Sequence, residues 1–552
     1  MFVRVTNSGP QGNYHYLQLA ESFRDPDTGK VKTSLIHNFG SVDKVDFKGI
    51  ERLIESLKSV LPPSSVKLPS GPFEFLGSRD IGATWLLDSL WKRLGIDTAI
   101  ESLIENRQFR TPIERMIFTM VANRATAPGS KLAIERWVEK QVLIPGLESV
   151  DVHRLYAAMD MLIAANEPIQ RAVFTEMAKA TDCALDILFL DTTSTYFEVE
   201  DEDEGDDGLR KRGHSKDNHP ELAQMVIAFA VTREGIPVRC WVWPGNTSDQ
   251  AIVQEVKHDL GQWNLGRAIM VEDTGFNSEH NRSVLRQSAG DFIIGEKLRT
   301  GSKGAAVEAL HRAGRYKTLI REGRELKCKD VMIDEGTATQ RRYVVVLNPE
   351  AAIRDAAKRA DIVDEAKKQL EALKQLEGEP HKKAACALRS HSACGRYIGQ
   401  KKDGTLFIDD TKIDAEALLD GKFLISTSLM NAPIEDIVYG YKQLFEIERV
   451  FRDLKHVVDI RPVYHHLKDR IRAHVLICWI AMVLVRVAER SVNMTWRDIM
   501  HAIADIRVGI NRTQAGELWN TSPLTDLQKA LYSNLKVKLP PQVWAYKVEK
   551  TL

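Results

Sequence analysis

Apolar and polar residues follow two different periods along this chain, and the changes of period divide it into regions. Residues 1 to about 45 contain short runs in which apolar and polar side chains alternate, as in strands with one buried face. A break rich in proline and serine follows at residues 61–65. From about 80 to 180 the apolar positions recur every three or four residues, which predicts amphipathic helices. These helices are expected at 81–94, 112–125, 130–140 and 152–164.

The period changes again near residue 185, where short apolar runs predict strands. The strands are expected at 185–192, 224–232, 237–243, 267–273 and 291–296, and helices at 248–263 and 278–286 separate the last three. Three antiparallel-type strands followed by a helix, a strand, a helix and a strand form a mixed α/β sheet in the RNase H order. After an excursion over residues 299–420, a strand resumes at 423–428 and a helix is expected at 441–455.

These patterns predict an α/β protein with an RNase H-like mixed sheet core, preceded by a β-hairpin unit and a helical region. A β-rich insertion is expected to leave the sheet before its last strand and helix and to return at a neighbouring position. Six regions follow from this interpretation. They are a small β-rich unit (1–65), a helical region (66–180), the first part of the core (181–298), an inserted β-rich subdomain (299–420), the second part of the core (421–495) and a C-terminal region (496–552).

Length and composition narrow the possible function classes. With 552 residues and 43% hydrophobic side chains, the chain has ample material for more than one core. Its 76 basic and 76 acidic side chains balance, so any binding to nucleic acid must use local basic surface. The sequence contains neither the glycine loop of P-loop nucleotide hydrolases nor the glycine motif of dinucleotide-binding proteins.

The sequence also bears on the compartment. Six scattered cysteines do not form the framework of a disulfide-rich protein and are typical of a reducing cytoplasm. The N-terminus lacks the basic-then-apolar pattern of a signal peptide. The longest apolar stretch, 475–485, is well short of a membrane span and indicates a buried core helix. We therefore expect a cytoplasmic protein that does not associate with membranes.

Three acidic residues stand at positions where chemistry is expected. Asp191 closes the apolar run 187–190, and Asp273 closes the run 268–272, so each carboxylate is expected at the end of a strand. If these strands are adjacent, the two carboxylates lie close enough to share a divalent ion. Glu448 lies on the predicted helix and is flanked by apolar residues, so it is expected to face packed surface, where a carboxylate needs a cation.

A site made only of carboxylate oxygens suits hard cations such as Mg²⁺ or Mn²⁺. Two such ions, about 3.5–4 Å apart, can activate an attacking oxygen and stabilise a leaving oxygen during phosphoryl transfer. Taken singly, each acid is more simply explained as an ordinary strand-end or salt-bridged residue. The three acids together favour the metal site.

The spacing around the third acid is specific. Tyr441, Glu448 and Lys455 lie seven residues apart, which places them along one stripe of a continuous helix. This pattern resembles the Tyr-x2-Arg-x3-Glu-x6-Lys signature of bacterial insertion-sequence DDE transposases, a group with an RNase H-like core and a β-rich insertion before the last acid. The arginine position of that signature is Leu444 here. The resemblance covers roughly residues 180–490.

The resemblance implies roles for six residues. The catalytic triad would be Asp191, Asp273 and Glu448, which would hold two Mg²⁺ or Mn²⁺ ions. Tyr441 and Lys455 would contact DNA phosphates near the cleaved end. Arg449 or Arg452 could replace the missing arginine, and Arg452 is preferred because it lies four residues past Glu448. The segment 214–219 could also approach DNA, although a solvated loop is the ordinary interpretation.

The implied function is a DNA transposase that cleaves at insertion-sequence ends and joins the freed 3′-hydroxyl to target DNA by two-metal phosphoryl transfer. Its partners would be double-stranded DNA, as terminal inverted repeats and target, and a second copy of the chain in a homodimer on DNA. The hairpin and helical regions would bind the terminal repeats. One alternative is an RNase H-like nuclease without strand transfer, and another is a catalytically inactive DNA-binding repressor of transposition.

Overall fold

A computed structural model describes the chain in fourteen segments. They are residues 2–8, 14–25, 29–46, 48–50, 74–104, 112–181, 185–198, 201–205, 208–298, 305–321, 323–337, 340–461, 463–513 and 516–547. The chain forms two compact units. The first contains essentially the N-terminal 74 residues, and the second contains residues 75–512 and 517–548.

The first unit is a three-stranded antiparallel sheet, as the alternating pattern of the N-terminal residues predicts. Its strands are β1 (Phe2–Ser8), β2 (Tyr14–Arg24) and β3 (Val31–Ser41), in the order β1-β2-β3. The proline- and serine-rich break lies outside the described residues.

The second unit begins with strand β4 (Glu74–Asp80) and six helices. The helices are α1 (Gly82–Arg93), α2 (Ile96–Ile104), α3 (Ile113–Thr126), α4 (Lys131–Lys140), α5 (Val152–Ala164) and α6 (Asn166–Thr181). Helices α3 and α5 pack against a long helix far along the chain, α15 (Lys468–Val492), and all belong to one continuous hydrophobic core.

The helices expected at 81–94, 112–125, 130–140 and 152–164 are confirmed, and they share one hydrophobic core with α15. The reason is the composition of α15, whose residues 473–489 are buried on every side, so that helices from both ends of the unit must cover it. By length and composition alone this helix could cross a membrane, but almost all of its most apolar window is buried within the protein. This confirms the interpretation of 475–485 as part of a core helix.

A nine-stranded mixed sheet forms the centre of the second unit. Its strands are β5 (Ile187–Tyr196), β6 (Gln224–Thr232), β7 (Pro237–Pro244), β8 (Ile269–Glu272), β9 (Asp291–Glu296), β10 (Lys317–Arg321), β11 (Arg324–Ile333), β12 (Arg341–Leu347) and β15 (Lys422–Thr427). Strands β5, β6 and β7 are antiparallel neighbours, whereas β5, β8 and β9 are parallel neighbours. The predicted mixed sheet and the antiparallel arrangement of its first three strands are confirmed.

Helices α7 (Asp249–Gln262) and α8 (Glu279–Leu285) connect these strands, and α9 (Ala305–His311) packs against β11 and β12. The sheet continues beyond β9 in the order β9-β15-β12-β11-β10. The prediction that 299–420 is an insertion outside the sheet is therefore wrong for residues 317–347. Strand β12 is buried on both faces, with Val344 and Val346 in the main core and Tyr343 and Val345 in a second cluster, so it belongs in the middle of a sheet.

The true excursion from the sheet is shorter than predicted. Leu347 of β12 pairs with Lys422 of β15, and the Asn348 amide donates to the Gly421 carbonyl over 2.8 Å. The chain therefore leaves and rejoins the sheet at neighbouring positions. The excursion contains α10 (Pro349–Leu373), α11 (Gly378–Ser390), the hairpin β13 (Ile398–Gln400) and β14 (Leu406–Ile408), and α12 (Asp410–Ala417), and it has a small hydrophobic cluster of its own.

The C-terminal elements complete a second sheet. After α13 (Ile434–Lys442), α14 (Phe445–His456) and α15 come α16 (Trp496–Ile503), β16 (Arg507–Thr513), β17 (Gly516–Thr521), α17 (Asp526–Asn534) and β18 (Val543–Lys547). The four-stranded sheet has the order β18-β17-β16-β4. Strand β4 starts at residue 74, so strands of the predicted C-terminal region 496–552 share a sheet with a strand from much earlier in the chain.

A buried lysine in the helical layer gives a test of this packing. The Lys131 side chain lies beside the cationic Arg124 and has no ion-pair partner among the described residues. Burial, reinforced by Arg124, lowers the pKa of Lys131 to about 7. Between that value and the ordinary value of 10.5, the unfolded chain holds a proton that the folded chain lacks, so stability should rise with pH.

We expect Lys131→Met to remove a rise of about 1.4 kcal/mol per pH unit in the free energy of unfolding between pH 7 and 9. The variant should also be more stable than the parent at pH 7. Urea unfolding of both proteins at several pH values measures this difference. If the free energy of unfolding depended on pH in the same way in both proteins, the pKa of Lys131 would not be lowered in the folded state.

Candidate active site

The segment that carries the signature is two helices and not one. Tyr441 lies in the last turn of α13, and Glu448 lies in the first turn of α14. Between them the Leu444 amide donates to the Tyr441 carbonyl and the Ile447 amide to the Leu444 carbonyl, each over 3.1 Å. These three-residue hydrogen bonds tighten the turn at the point where α13 ends and α14 begins. The prediction of a single stripe from Tyr441 to Lys455 is therefore wrong.

Glu448 is exposed, contrary to the prediction that it faces packed surface. The buried face of α14 is formed by Ile447, Val450, Phe451 and Leu454. The buried acid of this helix is Glu446, which pairs with Arg490 over 3.1 Å. Glu448 is nevertheless close enough to the phenol of Tyr441 for its charge to help raise the tyrosine pKa.

Asp191 lies within β5 and not at its end, because the strand continues to Tyr196. The register of the parallel pair β5–β8 sets Leu190 beside Glu272, so Asp191 and Asp273 directly follow paired residues on adjacent strands. The structure therefore brings these two predicted acids to one region of the sheet.

A third aspartate, which the sequence analysis missed, joins them. Asp249 is the first residue of α7, and the Thr192 hydroxyl donates to its Oδ1 over 2.5 Å. An acid at a helix N-terminus is an ordinary stabilising feature, so the sequence carried no signal that separated Asp249 from a helix-end acid. Burial raises the pKa of Asp191 to about 6, and the negative charges of Asp273 and Asp249 reinforce the rise.

Lys216 is the cation of this cluster. Its Nζ lies 3.7 Å from Asp191 Oδ1 and 3.6 Å from Asp249 Oδ2. It also donates to the carbonyl and hydroxyl oxygens of Thr192 over 2.7 and 2.6 Å. The loop 214–219, which was expected to be solvated, is thus fixed to the acid cluster, and its Lys216 lowers the pKa of Asp191 against the effect of burial.

Tyr441 is positioned on Asp273. Its hydroxyl donates to Asp273 Oδ1 over 3.3 Å, and its ring stacks on Phe423 of β15. Burial, with the negative charges of Asp273 and Glu448, raises the tyrosine pKa, so the phenol stays a neutral donor. Gly295 of β9 makes room for it, because a Cβ at Gly295 would overlap the Tyr441 hydroxyl.

We expect Gly295→Ala to lower the free energy of unfolding by about 1–3 kcal/mol through this overlap. Adding Tyr441→Phe should restore part of the loss, because the phenylalanine lacks the overlapping oxygen. Chemical denaturation of the two single variants and the double variant measures the effect. Additive losses in the double variant would show that Gly295 and Tyr441 are not in contact.

Two predicted phosphate-binding cations differ in their surroundings. Lys455 Nζ pairs with Asp217 Oδ1 over 2.8 Å, and Arg461 holds the second oxygen over 2.7 Å. The Asp217 and Lys455 side chains are only 8% and 13% exposed, so this pair is internal. Arg452 is 65% exposed, and its Nε lies 3.8 Å from the neighbouring Asp453. Arg449 lies 3.4 Å from Glu489.

Comparison with known families decides the identity. Residues 186–484, more than half of the chain, match the transposase DDE domain, and residues 3–63 match the N-terminal domain of IS1634 family transposases. The chain belongs to the DDE transposases of bacterial insertion sequences. The resemblance inferred from the sequence is confirmed.

No curated protein matches this transposase. A solved structure, the cryo-EM structure of piggyBac transposase in a synaptic complex with hairpin DNA, is similar over 83% of this chain and 80% of that chain. The identity is 9% and the TM-score is 0.36.

Transposase DDE domains generally use divalent metal ions, and the residues of this transposase can be tested against that requirement. Among the described residues, no three His, Cys, Asp or Glu side chains already form a metal-binding group. The donor chemistry does fit a hard cation, because Asp191, Asp249 and Asp273 offer only carboxylate oxygens. The position of Lys216 between two of these acids marks where positive charge is needed.

Proposed function

We propose that this transposase cleaves DNA at the ends of its insertion sequence and joins the freed 3′-hydroxyl to target DNA. The observation that carries the proposal is the convergence of Asp191 and Asp273 on adjacent parallel strands within a family-matched DDE domain. The strand order β7-β6-β5-β8-β9 supports an RNase H-like core for this domain. A DNA phosphodiester bound at these two aspartates would react at the sheet, beside α13 and α14.

Asp191 and Asp273 would hold divalent ions, Mg²⁺ or Mn²⁺, and Glu448 would complete one site from α14. Two bound ions would activate the attacking oxygen and stabilise the leaving oxygen of an in-line displacement. Asp249 is a fourth candidate ligand because its carboxylate shares Thr192 and Lys216 with Asp191. Exposed Glu448 would have to turn toward the aspartates when DNA and metal bind.

The chain's own residues set up this site. The Tyr441 hydroxyl holds one oxygen of Asp273 and so fixes the orientation of that carboxylate. Lys216 offsets part of the negative charge of Asp191 and Asp249 when the protein carries no metal. We propose terminal inverted repeats and target DNA as the substrates, a homodimer as the form that pairs two ends, and the cytoplasm as the compartment.

A strand-transfer assay tests the proposal against its main rival. Purified transposase, Mg²⁺ or Mn²⁺, a labelled pre-cleaved element end and a supercoiled plasmid should give labelled plasmid joined at the 3′-hydroxyl of the end. A 3′-deoxy end is the matched control and should give no joined product. A second arm uses an uncleaved end that extends into flanking DNA. Cleavage of that end without joining of either end would instead identify a nuclease, and binding without either reaction would identify a repressor.

A further inference from the structure

A groove of about 430 Å³ lies beside the α13–α14 junction and the hairpin β10–β11. We call it the basic groove, and define it by the cations Arg321, Arg324 and Lys442 and the aromatic residues Tyr439 and Phe445, which line it. Phe445 is 54% exposed although it is large and apolar. The groove therefore combines positive charge with accessible aromatic surface.

Its cations form no ion pair with any carboxylate of the described residues. Arg321 instead lies over the Tyr439 ring at 4.9 Å. The nearby acid Glu435 forms an ion pair with Lys317. Burial, together with the charge of Arg324, lowers the pKa of Lys442, as expected for crowded cations.

The pairing of the hairpin strengthens the case. Arg321 and Arg324 are directly opposite each other in the register of β10 and β11. Like charges at directly opposed positions destabilise a strand pair. Among the residues that the structure describes, neither opposed arginine has a carboxylate partner, so an anion bound between them would relieve their repulsion.

The basic groove is continuous with the proposed site. Phe445 and Glu448 are three residues apart on α14, so they are neighbours on one face, separated by about 4.5 Å along the helix axis. Both are exposed, and exposed Arg452 lies one turn further along the same face. An extended polyanion lying along α14 would pass the groove, the third acid and Arg452 in succession.

We propose that the basic groove binds the phosphodiester backbone of the DNA strand that leads to the bond held at Asp191 and Asp273. Arg321, Arg324 and Lys442 contact its phosphates, and Phe445 and Tyr439 contact sugar or base faces. Such contacts hold the strand in register without reading its sequence. The proposal rests on the proposed function and assigns the β10–β11 hairpin to substrate binding.

Fluorescence anisotropy with labelled DNA tests the proposal on the full-length transposase. The probe is an element end that extends through the cleavage site into flanking DNA. The variant is Arg321→Ala with Arg324→Ala, and the matched control is Lys368→Ala with Lys383→Ala, which removes two exposed cations from α10 and α11. A third arm uses inorganic phosphate as competitor, to separate a strand site from a site for a small free anion.

The groove variant should bind the probe about ten- to a hundredfold more weakly at low salt, on every sequence tested. The slope of log affinity against log salt should become shallower by about 1.4 to 1.8, at 0.7 to 0.9 per lost contact. Its melting temperature should stay the same or rise, because the opposed arginines are gone. Arg321→Lys with Arg324→Lys should keep the parental slope, and millimolar phosphate should not displace the probe.

Two results would overturn the inference. One is a groove variant that binds like the control variant, and the other is displacement of the probe by millimolar inorganic phosphate. These outcomes are separate from failure of the proposed function, which would appear as a parent protein that neither cleaves nor joins element ends. A parent that is active, with a groove variant of unchanged affinity and slope, would reject the basic groove alone.

Discussion

Asp191→Asn and Asp273→Asn should each reduce cleavage of the element end by at least about a thousandfold. An asparagine keeps the shape of the side chain but removes the negative charge that a hard cation requires. Both variants should still bind end DNA, because the cations that we assign to DNA binding lie on other side chains. Gel-based cleavage in Mg²⁺ and Mn²⁺ measures the loss of activity. Anisotropy on the same preparations measures DNA binding, and the melting temperature shows whether the variants stay folded.

The same assay ranks the remaining acids. Glu448→Gln should be as damaging as the aspartate variants if Glu448 turns toward them on DNA. Asp249→Asn tests the role of Asp249. If Asp249 binds metal, the variant should lose as much cleavage activity as the other aspartate variants. If Asp249 only contacts Thr192 and Lys216, the loss of cleavage activity should be smaller. Near-normal cleavage by Asp191→Asn or Asp273→Asn would remove that residue from the site.

Much of the fold could be predicted from local pattern, for a physical reason. Strands β5, β6 and β7 follow one another along the chain and pair as neighbours, and the helices α7 and α8 allow β8 and β9 to return parallel to β5. Asp191 and Asp273 came together because they close apolar runs that form adjacent parallel strands. Those features depend on period and order, which the sequence displays directly.

The features that could not be predicted depend on long-range pairing. The apolar run that forms β12 predicts a strand but not its partner, and its pairing with β15 places it inside the sheet. The break between α13 and α14 falls at residues 443 and 444, which are glutamine and leucine, so no proline or glycine at the break predicts it. Lys216 and Asp249 are ordinary residues of a loop and a helix start until the fold brings them beside Asp191.

Lys455 shows the same limit. The resemblance implies a phosphate contact for it, which stays a prediction, and the fold pairs it with the internal carboxylate of Asp217. Among the described residues, Arg452 pairs only with its sequence neighbour Asp453, and it remains the better candidate for phosphate contact. Arg452→Ala should change stability by less than about 0.5 kcal/mol and make the salt slope of DNA binding shallower by about 0.9. A destabilised Arg452→Ala protein with an unchanged salt slope would contradict this role.

Lys455→Met, in contrast, should lower the free energy of unfolding by about 2–4 kcal/mol, because it leaves the buried Asp217 carboxylate with Arg461 as its remaining cation. Combining it with Asp217→Asn should recover at least about 1 kcal/mol relative to the sum of the single losses, since the uncompensated charge is then gone. Urea unfolding of the parent, the two single variants and the double variant measures this coupling. A coupling near zero, with a salt slope of DNA binding that becomes shallower in Lys455→Met, would mean that Lys455 contributes little through Asp217 and contacts a DNA phosphate, as the resemblance implies.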